Sequence, residues 1–318
     1  MKKMMMIWLF TLILIEAAQT LTPLHEIVVK GTAKDFVVDE AHLYVGTDQG
    51  KLQVYDYQAK QFVKEISLPN VIDFVGDSVP ARVFSVDHTE GRLLLLSDSG
   101  KGGYSDLWIH ENNQTIQLLG AEDKKAVIKA RFIDKDHILL GYLSNEAVLY
   151  DVKERKERYR VQLSESKFSD FALNEDKSKA VYGCESGVLS VVETATGKVI
   201  KTLKGINKDN TYKVDFKKDT VSAAGQDKRG AIYSVSSGAG DFIEGSFLIY
   251  ATGLSPSARK VAFAMDERND ISIYNVNTKS KLYVLKGQKS TLNSIIFKDE
   301  QTLFSASDDN TVMMWKLK

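Results

Sequence analysis

The sequence predicts an all-β fold, a seven-bladed β-propeller, on three observations. A unit made of an apolar strand, a small polar turn and a second strand ending in an aromatic-polar pair recurs seven times. Its period is near 41 residues, within the range of repeats that each fold as one four-stranded antiparallel blade. The seventh unit stops after three strands, while a fourth-strand pattern stands unclaimed near the start of the chain. A chain of 318 residues with 43% apolar content and four prolines fits one closed all-β array.

In chain order, the first segment differs from everything after it. Lys2 and Lys3 precede an apolar run over residues 4–15, followed by Ala17 and Ala18. Positive charge, a short apolar stretch and small residues make a secretory signal peptide. Residues 1–18 are therefore expected to be a cleaved general-export signal, with an uncleaved anchor as the alternative, and residues 19–318 one propeller domain. The run is shorter than the roughly 20 residues a spanning helix needs. Cleavage after Ala17 or Ala18 leaves a periplasmic or otherwise exported protein that meets the membrane only in transit.

Residues 24–30, LHEIVVK, carry the fourth-strand pattern and precede the first strand of the first blade. The expectation is that they complete the seventh blade, closing the ring and removing open edges that template aggregation. The anchoring residues of the seven units are Tyr55, His110, Tyr150, Val192, Tyr233, Tyr274 and Trp315. Five of the six spacings lie between 40 and 42 residues, but the first, into blade two, is 55. Its surplus falls in residues 69–80 and 98–106. In a propeller these two connections, from fourth to first strand and from second to third, leave on the same face, so they should meet.

Blade seven carries the nearest resemblance to a known family. Leu285-Lys286-Gly287, Ser305-Ala306-Ser307-Asp308 and Trp315-Lys316 are similar to WD40 units, as are Gly46-Thr47-Asp48 and Tyr55-Asp56 in blade one and Ser255-Pro256 in blade six. Gln288 stands where the family has histidine, so the family's His, Ser/Thr, Asp and Trp hydrogen-bond network is expected to be incomplete. Apolar packing between blades should then hold the ring. The export signal, the length, the weak WD40 units and the blade-one run DEAHLYVGTDQGKLQVYD together resemble the NapL-type accessory proteins of periplasmic nitrate reductase. That resemblance implies a periplasmic respiratory enzyme as partner.

Composition and motifs narrow the chemistry. Lys plus Arg equals Asp plus Glu, 42 against 42, which gives no field to attract nucleic acid. The five histidines show no ligand spacing, and the single Cys184 lies in a strand context, AVYGCESG, as a small buried hydrophobe or, alternatively, a reactive thiol. No nucleophile elbow, P-loop or dinucleotide fingerprint occurs. No catalytic, cofactor or metal residue is assigned, and a non-catalytic monomer is expected.

The blade-two insertions are different. Val71, Ile72, Phe74 and Val75 put apolar side chains in a connection, and Lys101 and Tyr104 stand in a Gly-rich tip. Two readings remain open, a contact surface for a protein partner or an additional buried strand. Phe74, Arg82, Lys101 and Tyr104 are the candidate contact residues. Competing functional readings are a ligand or catalytic site in the central channel, built on Lys129, Arg131, Lys213 and Asp215, and an envelope assembly scaffold.

Overall fold

The computed structural model describes residues 17–318, so all but the last two residues of the expected signal, residues 1–18, lie outside the described residues. Among the described residues seven sheets stand in a ring, each built on four antiparallel strands that run from an innermost to an outer one, with a fifth strand added to blade six. Innermost strands contact their neighbours all the way round, from Ala33–Val38 of blade one to Leu292–Phe297 of blade seven and back to blade one. The fold is a seven-bladed β-propeller.

The anchors identified in the repeat occupy one structural position. Tyr55 pairs with Leu43, His110 with Leu93, Tyr150 with Ile138, Val192 with Ala180, Tyr233 with Val221, Tyr274 with Val261 and Trp315 with Leu303. All seven anchors are buried. Alternation along each middle strand sends side chains to both faces of a blade, and both faces are covered by neighbours. Middle strands such as His137–Tyr142 and Thr302–Ser307 therefore read as continuous buried runs. Among the described residues, each of the seven gaps between blades holds its own apolar cluster.

Ring closure follows the expected design and adds to it. His25–Val28 pairs antiparallel with Thr311–Lys316 as the outer strand of blade seven, and Ile27 is buried beneath it. The segment just before it does more. Gln19–Leu21 lies parallel to Lys281–Leu285 as a fifth strand on blade six, and the Lys286 amide donates to the Leu21 carbonyl at 2.9 Å. Three residues are too few to show a pattern, so this second clasp was not visible in the sequence.

The expected gap in the blade-seven polar network is corrected in part. Trp315 Nε1 donates to Ser305 Oγ at 2.8 Å, Ser305 Oγ donates to Gln288 Oε1 at 2.8 Å, and Gln288 Nε2 donates to Ser307 Oγ at 2.6 Å. An amide offers both an acceptor and a donor, as a neutral imidazole does, so glutamine can replace histidine as the relay. Among the described residues the aspartate link is absent: Asp308 accepts from Asn293 Nδ2 at 3.3 Å, and its neighbour Asp309 from the Thr311 amide within their turn.

Candidate contact face and central channel

Residues 69–80 form a small hairpin, Val71–Ile72 against Ser78–Val79. Asp73 sets its turn: Oδ1 accepts from the Val75 amide at 3.0 Å and the Asp77 amide at 2.9 Å. This local use of an aspartate fixes a turn with little help from tertiary packing. The hairpin is not a buried strand. Phe74 is 96% exposed, Val75 65% and Ile72 53%, an apolar tip held in solvent.

Residues 98–106 form the connection facing it. The Tyr104 amide donates to the Lys101 carbonyl at 3.0 Å, and the Ser99 amide to the Tyr104 carbonyl at 3.2 Å. Gly100 makes the junction between the two insertions. Its φ is +70°, and a Cβ there would stand 2.4 Å from the Ile72 carbonyl oxygen, so only glycine permits the approach. Arg82 closes the base, with Nε donating to Asp98 Oδ2 at 2.7 Å and its amide to Asp98 Oδ1 at 2.9 Å. The antiparallel argument from sequence therefore places the two insertions correctly. Phe74, Arg82, Lys101 and Tyr104 all line one open cleft of about 390 Å³.

One ionisable group beneath this face is unusual. Asp106 is buried, and its Oδ1 has no hydrogen-bond partner. Burial first, then the Glu122 and Asp98 carboxylates, push its pKa up to about 6 against a smaller opposing effect of Gln117. His110, the anchor of the same blade, shares a hydrogen bond between Nδ1 and Thr115 Oγ1 at 2.9 Å and is held below its ordinary value by burial, then by Lys64. Cys184 is buried, with Sγ 3.2 Å from Ser186 Oγ.

The central channel, about 330 Å³, does gather Lys129, Arg131, Lys213 and Asp215. Three of the four are engaged by other charged neighbours, and Lys213 reaches Asp170 only at 3.9 Å. Lys129 Nζ meets Asp170 Oδ1 at 2.6 Å, Arg131 meets Asp35 at 2.9 Å and Lys217 meets Asp215 at 3.3 Å. Burial raises the Asp170 pKa, but Lys129 and Lys213 outweigh it and hold the carboxyl below its ordinary range.

The same aspartates also tie the blades together, a role the sequence reading missed. Asp35 accepts from the Val86 amide, Asp87 from Phe132, Asp170 from Val214 and Asp215 from Leu254, at 2.9, 2.7, 3.1 and 2.7 Å. Each bond crosses from one innermost strand to the next. Asp35-Phe36, Asp170-Phe171 and Asp215-Phe216 were the available signal, an acid before a buried ring in first strands of the repeat. Among the described residues, no group of three or more His, Cys, Asp or Glu is placed to hold a metal ion.

Fold and surface together define a propeller of seven blades whose regular ring carries one irregular, partly apolar lobe. No family model matches the chain, and a search of curated proteins found no match.

Proposed function

We propose that this protein is a non-catalytic, exported interaction propeller that holds a protein partner on its lobe-bearing face. The partner proposed is a periplasmic respiratory enzyme, with nitrate reductase first. The observation that carries the contact role is the exposure of Phe74 at the tip of an ordered hairpin, directly beside Arg82, Lys101 and Tyr104 in one cleft. An apolar side chain held in solvent by its own turn costs solubility and contributes nothing to the core. Such a group is what a recognition surface supplies, an aromatic anchor among cationic and phenolic neighbours. The rigid ring lowers the ordering cost of binding, because the lobe is already built when the partner arrives. The charge committed between channel residues and the aspartate ties across the blades support a structural channel over a catalytic one. The resemblance in layout to nitrate reductase accessory proteins supports the choice of partner.

Affinity capture of the tagged full chain from periplasmic extract tests both levels. Replacing Phe74, Arg82, Lys101 and Tyr104 together with alanine is expected to abolish co-purification of the partner. Unchanged capture would show that this face is not the contact. Recovery of partners that include no nitrate reductase subunit, under nitrate-respiring growth, would remove the accessory role. N-terminal sequencing of the periplasmic fraction is expected to begin at Ala18 or Gln19.

A further inference from the structure

Three depressions on the lobe-bearing face share walls. The lobe cleft and its neighbour both include Arg82, Asp98 and Tyr104. That neighbour meets the channel mouth through Phe84 and Ile128. A continuous groove therefore runs from the hairpin across blade two to the ring centre, with Val71, Tyr104, Phe84 and Ile128 spaced along its floor.

The charges along the groove are not balanced once existing bonds are assigned. Asp98 is held by Arg82, and Asp73 accepts the two amides of its own hairpin. Asp35 is held by Arg131 and the Val86 amide. Asp170 serves Lys129 at 2.6 Å and reaches Lys213 only at 3.9 Å. Lys34 stands 3.6 Å from Asp308, and Lys101 forms no ion pair among the described residues. Among the described residues Lys101 is thus left along the groove without a carboxylate and Lys34 and Lys213 with only long ion pairs, while Asp98, Asp35 and Asp170 each hold a closer cation and Asp73 is bonded to backbone amides.

We propose that this groove takes an extended acidic segment of a partner polypeptide. Its apolar side chains seat against Val71, Tyr104 and Phe84, and its carboxylates meet Lys101, Lys34 and Lys213. An extended chain advances about 3.3 Å per residue and alternates its side chains, so one face can pack on the floor while the other reaches the lysines. Opposite charge steers the encounter and fixes register more than it adds affinity. The proposal rests on the lobe-bearing face being the contact face.

Selection of a phage-displayed random 12-residue peptide library on the biotinylated full chain tests it. Enriched peptides are expected to combine Asp or Glu with Phe, Leu or Trp. The best of them should bind at least about 10-fold more weakly to Lys101→Glu and to Lys213→Glu, with milder losses for Lys101→Gln and Lys213→Gln, and should weaken as salt rises. Circular dichroism melts of the four variants establish that they remain folded. Enriched peptides without acidic bias, no enrichment at all, or acidic peptides indifferent to the folded lysine variants would each overturn the proposal. Partner capture that depends on the four lobe residues while the peptides fail leaves the contact face standing and removes the acidic segment. Capture independent of those four residues removes both.

Discussion

Blade seven and blade two both depart from the plain repeat, one by lacking a strand of its own and the other by carrying 14 residues beyond the period. The shortage is made good from the other end of the chain: Ile27 and Val29 are buried under the ring's seam while Leu24 and Val28 face outward, and the blade's own Trp315, Ser305 and Gln288 form a polar chain inside it. The surplus in blade two goes the other way. It is ordered by its own turns and by Gly100, yet it leaves Phe74, Val75 and Ile72 in solvent. The blade that closes the ring puts its side chains into stability, whereas the lobe is tolerated by a ring that does not need it.

The sharpest way to break this contrast is to remove residues 19–30. Their loss exposes the edges of Thr311–Lys316 and Lys281–Leu285 and removes the buried side chains of Leu21, Ile27 and Val29 from the core. Each buried side chain contributes roughly 1.5–3 kcal/mol, so the truncated chain is expected to lose cooperative unfolding or to aggregate on size-exclusion chromatography. An unchanged melting midpoint would refute the clasp.

Within blade seven, Trp315→Ala should cost about 3–5 kcal/mol by urea denaturation, because a fully buried ring leaves a cavity. Gln288→Ala should cost about 1–3 kcal/mol by stranding Ser305 and Ser307. Gln288→His tests the relay directly and is expected to stay within about 1 kcal/mol of the parent chain.

Beneath the lobe, the buried Asp106 gives a pH dependence of defined sign. Its folded pKa of about 6 lies above the unfolded value of roughly 3.9. The folded chain therefore binds the proton more tightly, and this group favours folding fully below about pH 4 and progressively less as pH rises to about 6. Asp106→Asn should melt higher than the parent above pH 6, by about 2 °C, and equally with it at pH 4. Melts across this range that leave the difference constant would show that Asp106 is not the source.

The smallest expected effect is on the lobe itself. Phe74→Ala should leave unfolding free energy within about 0.5 kcal/mol of the parent, since the side chain buries almost nothing. A larger loss in urea would mean that the ring depends on its lobe.

The strand period, the anchor positions and the N-terminal completion of blade seven were determined by the sequence alone, because alternation, turn chemistry and spacing are local properties repeated seven times. So was the meeting of the two insertions, which follows from antiparallel connectivity once the strands are counted. Tertiary structure decided what depends on atoms from different blades. Gln288 replaces a histidine because Ser305 and Ser307 stand at both ends of its amide, and no spacing rule reports that. Asp35, Asp87, Asp170 and Asp215 reach amides 39 to 51 residues away, across gaps that only the closed ring makes short. Gln19–Leu21 has too few residues to announce a strand and acquires one from the edge beside it. The lobe shows the same division: its residues were named from composition, but whether Phe74 lay inside or outside depended on whether the ring offered it a place. The ring's gaps are already filled, so the side chain stands in water.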